Sequence, residues 1–212
     1  MTNTPSVPVL SLSHRRPFGE KLNTSLRKRW YGKKRKPGPN NMRRCRYFGT
    51  HFIVNMDDEV GYEIALNRFE WRELKLMLDA CERLKPELFL DVGANLGLYS
   101  CVLGRHQATS RIIAFEPDRV NFERLMANLK LNKLDGLVEA HQVAAGAKAG
   151  TAMLLPAAAD NRGVSRIESS PGLAEKQNGY EVRIIPLDDV VRLHGSRIAA
   201  KIDVEGLSLI HI

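Results

Sequence analysis

The segment Phe-Leu-Asp-Val-Gly-Ala-Asn-Leu-Gly, at residues 89–97, constrains the fold of this chain more than any other. A short apolar run leads into one glycine, and a second glycine follows where a helix is expected to begin. Gly93 permits a tight turn and the close approach of a ligand, because it has no Cβ atom. Gly97 permits the following helix to pack close to a sheet. This order is typical of the first strand, turn and helix of a nucleotide-binding α/β domain.

Strands and helices are expected to alternate around this segment. We predict apolar strands at residues 88–92, 112–115, 137–145 and 198–204, an antiparallel pair at 151–155 and 180–185, and a helix at 95–105. Asp118 can cap a further helix, whose predicted buried face consists of Phe122, Leu125, Met126 and Leu129. Short apolar strands that alternate with helices predict an α/β fold, in which a parallel sheet is covered by helices on both faces.

A lead-in precedes this alternation. Two extended pieces, at residues 47–55 and 60–65, predict a hairpin. An amphipathic helix is expected at 69–85, because apolar side chains recur there at three- and four-residue steps: Trp71, Leu74, Met77, Leu78, Cys81 and Leu84. Pro86 ends this helix, since a proline disfavours helical geometry in the residue before it. We therefore place the domain at residues 47–206.

The basic charge of the chain is concentrated in its first 46 residues. Residues 1–46 hold 13 Lys and Arg and one acid, whereas residues 47–212 hold 19 Lys and Arg and 23 acids, so the formal charges are +12 and −4. Prolines interrupt any helix in the first segment and its clustered cations repel one another, which predicts a disordered tail. Such a tail suits RNA, an anionic membrane surface or an organelle-targeting leader, and a solvated extension is the simplest alternative.

Composition excludes several classes of protein. Hydrophobic residues make up 43% of the chain and charged residues 26%, which is typical of a chain with a packed core and excludes a wholly disordered one. Because no apolar run approaches about 18 residues, no transmembrane segment is expected. Cys45, Cys81 and Cys101 are odd in number and lack metal-ligand spacing, which predicts reduced thiols and a cytoplasmic setting.

The glycine turn and a later acid together predict a nucleoside site. The spacing Asp91-x-Gly93-x-x-x-Gly97 differs from the Gly-x-Gly-x-x-Gly pattern that holds a pyrophosphate, so NAD and FAD are disfavoured. Glu116 ends the second strand 19 residues after Gly97, where an acid can accept both hydroxyls of a ribose. A ligand with adenosine and no phosphate fits, and S-adenosylmethionine is the common one, with Asp91 near its ammonium group. A simple turn and a surface acid are the alternatives.

Five segments of the chain resemble the FkbM-type family of S-adenosylmethionine-dependent methyltransferases: FLDVGANLGLYS (89–100), IIAFEP (112–117), NFERLMANLKLN (121–132), IPLDDV (185–190) and KIDVEG (201–206). The resemblance implies a class I, Rossmann-like methyltransferase fold, with Asp91, Gly93, Asn95, Gly97 and Glu116 around the cofactor. It also implies methylation of a hydroxyl group on a sugar, a glycan or another small molecule. The basic tail is not part of the family pattern.

Two carboxylates at the end of the last strand are the candidate catalytic residues. Asp203 and Glu205 alternate with apolar residues, so both point to the same face of the strand. They can act as base and orienter of the acceptor, or share a divalent metal ion, for which nothing else in the sequence argues. Alternatively, Asp203 binds the cofactor's ammonium group and Glu205 pairs with Lys201. His141 is expected to be structural.

The chain departs from the family pattern after residue 206. The segment LSLIHI, at residues 207–212, stands where an acidic helical continuation is expected, and one back-translation of it matches a transposon-end adapter. We therefore predict that this segment is not native and that the domain is truncated at its C-terminus. A strand without its next neighbour exposes an apolar edge, so the 212-residue chain is expected to be unstable and weakly active or inactive.

Two other functions are compatible with the sequence. An RNA-modifying methyltransferase can use the basic tail as a phosphate-binding arm. Against this, KIDVEG lacks the Asn/Asp-Pro-Pro-aromatic signature expected for attack by a base amino group. A binding module on a degenerate methyltransferase scaffold is the non-enzymatic alternative, and the intact candidate cofactor residues argue against it.

Overall fold

The computed structural model describes residues 41–156, 166–168, 178–191 and 197–204. In chain order the elements are β1 (Met42–Tyr47), β2 (Thr50–Asn55), α1 (Glu59–Ala65), α2 (Trp71–Leu84), β3 (Leu88–Val92), α3 (Leu98–Arg105), β4 (Arg111–Phe115), α4 (Arg119–Asn132), β5 (Val138–His141), β6 (Ala144–Ala145), β7 (Gly150–Leu155), β8 (Arg166–Glu168), β9 (Tyr180–Ile185), α5 (Leu187–Val190) and β10 (Ile198–Ile202).

A parallel sheet forms the centre of the domain, in the strand order β10-β3-β4-β5. All five residues of β3 are buried, as expected for a strand covered on both faces. Leu88, Leu90 and Val92 pack in one apolar cluster, whereas Phe89 packs in another, because successive side chains of a strand point to opposite faces. The predicted Rossmann-like α/β architecture is confirmed.

The two faces of this sheet are covered differently in the described segments. Helices α2, α3 and α4 and the β1-β2 hairpin share one cluster with Phe89 and Ile112. The opposite face packs against Val143, Ala145 and Val191, which come from or adjoin β6 and the one-turn helix α5. The longer helices thus lie on one side of the sheet.

The lead-in differs from the predicted one. The hairpin joins β1 to β2 through Phe48 and Gly49, whose φ angles of 45° and 73° are those of a type I′ turn. The first strand therefore begins at Met42, before the expected domain start at residue 47. The predicted extended piece at 60–65 is helix α1 instead, because Val60 and Ile64 lie four residues apart and are buried together on one helical face.

Helix boundaries follow local backbone geometry. The helix predicted to begin at Asn95 begins at Leu98, because Asn95 and Gly97 have left-handed φ angles of 51° and 87°. Asp118 caps α4 as predicted, since its side chain accepts hydrogen bonds from the N–H groups of Val120 and Asn121.

Four predicted core positions are less buried than expected. Leu84 at the end of α2 is 64% exposed and Met126 of α4 is 42% exposed, while Asn128 of α4 is fully buried. Met77 and Phe122 are only partly buried against the core. The apolar periodicity therefore gives the direction of each helical face but overestimates its width.

A second, mixed sheet has the order β6-β9-β7-β8. The predicted antiparallel pairing of β7 with β9 is confirmed. The strand predicted at 137–145 is divided, because β5 stays in the parallel sheet and β6 pairs with β9. Helix α5 follows Pro186, which is its N-cap residue and provides no side-chain hydrogen bond. Asp188 and Asp189 lie in the first turn of this helix.

Two asparagines of α4 hold the hairpin. The N–H of Ile53 donates to Asn128 Oδ1 at 2.8 Å, and the N–H of His51 donates to Asn132 Oδ1 at 3.1 Å. Asn128 Nδ2 in turn donates to the Leu96 carbonyl at 2.9 Å. One helix therefore fixes both the lead-in and the turn after β3.

Candidate active site

A cleft of about 350 Å³ opens at the carboxyl ends of the parallel strands. Its floor is formed by the ends of β3, β4 and β10, one wall by the lead-in, and another by β6 and the second sheet. The charged residues that line it, together with the turn glycine, are Glu59, Glu63, Glu70, Gly93, Glu116, Lys201 and Asp203. Ligands of open α/β sheets bind at this edge, so the cleft is the candidate site.

Gly93 is required by the chain itself. Its φ is +77°, and a Cβ atom there would lie 1.8 Å from the carbonyl oxygen of Asp203. The left-handed φ fits the predicted tight turn, whereas the space in which a ligand is expected holds the backbone after β10. Likewise, a Cβ on Gly97 would lie 2.5 Å from Leu125 Cδ1, so Gly97 admits helix α4 rather than the sheet.

Every backbone N–H from Gly93 to Gly97 already donates within the protein. Gly93 and Ala94 donate to the Phe115 carbonyl at 2.9 and 3.0 Å, and Gly97 donates to the Ala94 carbonyl at 2.8 Å. Asn95 donates to Glu116 Oε2, and Leu96 to the Asn95 side chain, both at 2.7 Å. The turn therefore offers a ligand none of the N–H groups with which such loops hold phosphates.

Glu116 lies directly after β4, where its carboxylate faces the glycine turn. Its Oε2 accepts from the Asn95 N–H at 2.7 Å and its Oε1 from the Asp118 N–H at 2.9 Å. Burial raises the pKa of Glu116 to about 7, since only 5% of the residue is exposed. Each carboxylate oxygen has a second acceptor site, so the group can still bind hydroxyls.

Asp91 is fully buried in β3 and does not line the cleft. Its Oδ2 accepts from the Ser100 N–H at 3.0 Å and from the Ser100 hydroxyl at 2.6 Å, which fixes the start of α3. Its Oδ1 is buried and has no hydrogen-bond partner among the described residues. Burial raises the pKa of Asp91, and nearby Lys201 opposes this shift.

Lys201 and Asp203 meet at the end of β10. The Lys201 ammonium donates to the Gly93 carbonyl at 3.0 Å, lies 3.2 Å from Asp203 Oδ2, and is 5.3 Å from the centre of the Tyr99 ring. The Lys201 side chain is 15% exposed and that of Asp203 is 54% exposed. Glu205, the other predicted catalytic residue, lies outside the described residues.

A profile of the family described as Methyltransferase FkbM domain matches residues 91–209, more than half of the chain. The chain belongs to the FkbM methyltransferase domain family. The resemblance predicted from the sequence is thus confirmed. The match reaches three residues into the segment at 207–212. That this segment is not native stays a prediction.

Relatives of this FkbM domain include two fungal proteins. Methyltransferase sdnD of Sordaria araneosa is 40% identical over 106 residues, which are 48% of this chain and 41% of the relative. Methyltransferase 1 of Beauveria bassiana is 30% identical over 81 residues, which are 36% of this chain and 32% of the relative. The chain spans less than half the length of these relatives.

Among solved structures, Methyltransferase FkbM from Methylobacillus flagellatus is similar to this FkbM domain. It is 20% identical, and the match covers 57% of this chain and 26% of that one, with a TM-score of 0.39.

Three residues of the FkbM domain's cleft were missed by sequence reasoning. Glu70 has a left-handed φ of 44° and accepts a hydrogen bond from the Tyr99 hydroxyl, and burial raises the pKa values of both groups. The sequence predicts Lys201 only as a partner of Glu205. Its one local signal is a lysine inside the otherwise apolar strand Ile-Ala-Ala-Lys-Ile, and this signal does not by itself place the lysine in a site.

His141 ends β5 outside the cleft lining, with its ring stacked on Phe115 at 5.4 Å. Cys45, Cys81 and Cys101 are buried. In the described segments, no group of three or more His, Cys, Asp or Glu side chains is arranged to hold a metal ion. No helix in those segments has the length and apolar character needed to cross a bilayer.

Proposed function

We propose that the chain transfers a methyl group from S-adenosylmethionine to a hydroxyl group of a sugar, a glycan or another small molecule. The observation that carries this proposal is the pairing of Glu116 with a glycine turn whose N–H groups are all used. A carboxylate can bind a ribose diol, while the occupied turn disfavours a ligand with phosphates. An adenosine derivative without phosphates meets both conditions.

The strand order suggests how such a ligand lies. Lys201 and Asp203 are at the end of β10, Gly93 follows β3, Glu116 follows β4, and Val143 and Ala144 follow β5. Neighbouring strands are about 4.8 Å apart, so the four ends span about 14 Å. We place the adenine on the apolar side near Val143 and the ribose at Glu116. The amino-acid end then lies near β10.

The residues present fit this cofactor. Asp91 Oδ1 is a buried acceptor that no described donor satisfies, and an ammonium group is a donor of the kind it lacks. Asp91 does not reach the cleft surface. Its main role is therefore to hold the start of α3 through Ser100, and an interaction with the ammonium group of the cofactor is its second proposed role. Asn95 and Gly97 shape the turn, and Gly93 admits the chain beyond β10.

When bound, the cofactor supplies an electrophilic methyl group on a sulfonium. The chain must align the acceptor and remove the proton of its hydroxyl. Asp203 is our candidate for the base, because its half-exposed carboxylate stands at the open edge of the cleft. Glu205 remains a proposed second carboxylate.

The lead-in wall favours a neutral acceptor. Glu59, Glu63 and Glu70 line it, and Glu63 also pairs with Arg68. Carboxylates repel phosphates, so this wall disfavours a nucleic-acid backbone next to the site. The RNA-modifying alternative depends on the basic N-terminal segment, whose residues 1–40 lie outside the described part of the chain.

Calorimetry with S-adenosylhomocysteine, the demethylated product, tests the proposal. We expect the 212-residue chain to bind it and the Glu116→Ala variant to lose at least tenfold in affinity, because a carboxylate accepting hydroxyls contributes about 1.5–3 kcal/mol. Glu123→Ala, on the exposed face of α4, is the control and should bind as the parent does. No binding heat from the correctly folded parent chain would refute the proposal.

A further inference from the structure

We propose that Lys201 binds the α-carboxylate of the methyl donor. The inference rests on the proposed function, since it concerns the amino-acid end of the same ligand. Such a ligand brings an ammonium and a carboxylate into the cleft together. Each needs a partner of opposite charge once water is removed.

Among the described residues that line the cleft, one charged side chain can pair with the carboxylate of the ligand. Five of the described lining residues are acids, namely Glu59, Glu63, Glu70, Glu116 and Asp203, and one is a lysine or arginine, Lys201. A second anion entering among these acids is repelled unless a cation meets it. Of the described lining side chains, only Lys201 supplies a fixed positive charge.

Backbone donors of the turn do not replace this lysine. Carboxylates at the start of a helix commonly bind free N–H groups. Here the N–H groups from Gly93 to Gly97 donate hydrogen bonds within the protein. The acceptors are the carbonyls of Phe115 and Ala94 and the side chains of Glu116 and Asn95. A ligand carboxylate that lies against residues 93–97 therefore finds no unused N–H group in the turn itself, and Lys201 is the cation beside it.

The geometry around Lys201 leaves room for a ligand. An ammonium group has three donors, and the described residues take two of them, through the Gly93 carbonyl and Asp203 Oδ2. The Gly93 contact and the Tyr99 ring hold the ammonium beside the turn. The Asp203 carboxylate is 54% exposed, so its pairing is weak and can be exchanged for that of a ligand.

The first test compares two ligands on the unmodified 212-residue chain by calorimetry. One is S-adenosylhomocysteine, and the other is the same compound without its α-carboxyl group. We expect the second to bind about 10- to 100-fold more weakly, since it lacks one charge-assisted contact. A cleft that acted only through its acids would show the opposite order, because the decarboxylated compound is the more cationic of the two.

The second test uses variants of Lys201. Lys201→Met should weaken S-adenosylhomocysteine binding by a similar factor and leave the decarboxylated compound bound at least as well as before. Lys201→Arg should keep the preference for the carboxylate, and Lys130→Met on the exposed side of α4 is the matched control.

The outcomes separate the two hypotheses. Equal or tighter binding of the decarboxylated compound by the parent chain overturns the assignment of Lys201 and leaves the methyl-donor site standing. Absence of binding by both compounds overturns the methyl-donor site and this inference with it. The comparison on the parent chain tests whether the carboxylate adds to binding, and the Lys201 variants assign that contribution to the lysine. A preference for the carboxylate that persists unchanged in Lys201→Met overturns the assignment, and Lys201→Arg, which keeps the charge, serves where Lys201→Met does not fold.

Discussion

Glu116 combines a structural task with a proposed binding task. Its carboxylate holds two backbone N–H groups, those of Asn95 and Asp118, and it is almost fully buried. Burial raises the pKa of this group from its ordinary 4.5 to about 7. Ionisation of this buried carboxyl is therefore unfavourable in the free protein. Hydroxyl donors from a ligand make it less unfavourable, because they stabilise the ionised form.

The first prediction concerns stability against pH. Between pH 4.5 and about 7 the folded chain keeps a proton on Glu116 that the unfolded chain has lost. Stability from this group is therefore fully present below pH 4.5 and is lost as pH rises through about 7. The loss is about 3 kcal/mol in total, at about 1.4 kcal/mol per pH unit. Urea denaturation at several pH values between 4 and 8 measures it.

Glu116→Gln is the control for this linkage. Its amide does not titrate, so the decline in the free energy of unfolding over this pH interval should become shallower, whatever the absolute stability of the variant. Asp91 contributes in the same direction, since burial also raises its pKa, and it remains in both proteins. An unchanged slope in the variant would assign the pH dependence elsewhere.

The second prediction concerns Gly93. Alanine there combines a left-handed φ with a Cβ atom 1.8 Å from the Asp203 carbonyl oxygen, so strand β10 must move away from the turn. We expect a loss of about 2–5 kcal/mol of stability, from backbone strain and overpacking together. Gly136→Ala is the matched control, because a Cβ there meets nothing within 4 Å. Thermal denaturation of both variants decides, and equal melting temperatures would contradict the prediction.

Sequence patterns identify residues whose structural partners are near in the chain more readily than residues whose partners are distant. Asp118 is followed directly by the helix that it caps, and Glu116 ends an apolar strand, so both are found in advance. Gly93 is predicted from its place in a turn motif. The atom that would clash with a side chain there belongs to Asp203, which is 110 positions away in the chain. Lys201 stands out in the sequence as a lysine inside an apolar strand, but its position beside the glycine turn follows only once β10 is known to pair with β3.

At the scale of elements, helix α4 connects the lead-in to the parallel sheet. Asn128 and Asn132 satisfy backbone groups of β2, and Arg124 Nη1 lies 3.1 Å from Asp58 Oδ2. The Asp58 and Arg124 side chains are 1% and 11% exposed. Removing Arg124 takes from the buried Asp58 carboxylate the cation that lies 3.1 Å away, which destabilises the folded state.

The third prediction is a double-mutant cycle on this pair. Arg124→Met should cost about 3–5 kcal/mol of unfolding free energy, because the Asp58 carboxylate loses its cation. Adding Asp58→Asn should restore part of the loss, since the remaining group is neutral. Denaturant titrations of the two single variants and the double variant give the coupling energy. Additive costs would mean that the ion pair does not join the lead-in to α4.

Elements with a clear local hydrophobic pattern are predicted well. Elements whose conformation depends on packing or pairing with distant parts of the chain are not. Strand β3 has the predicted bounds, because four apolar residues and the buried Asp91 form a run that ends at a glycine. Residues 60–65 contain Val, Tyr and Ile, which favour strands, yet they form α1 because Gly61 allows the helix to approach the Asn55 carbonyl. The division of 137–145 between two sheets depends on β9, which is distant in the chain.

For the whole molecule, charge is divided between two regions. The acidic residues lie almost entirely in residues 47–212, and five of them line the cleft. The described lining residues run from Glu59 to Val204. The basic residues of 1–40 belong to a part of the chain outside the described structure. Binding of the methyl donor and contact with a polyanion are therefore expected to be separable.

The last prediction uses this separation to decide between the two enzymatic functions. Residues 1–40 contain 10 Lys and Arg, and if about half of them neutralise phosphates, the affinity for single-stranded RNA should fall with a slope of about −3 to −4 in log salt. A chain from residue 41 onward should lose this RNA binding and keep its affinity for S-adenosylhomocysteine, because the cleft acids repel phosphates. Methyl transfer to RNA is then expected from neither protein. Salt titrations measure the slope and labelled methyl incorporation measures the transfer, and incorporation into RNA that depends on residues 1–40 would favour the RNA-modifying enzyme over the hydroxyl methyltransferase.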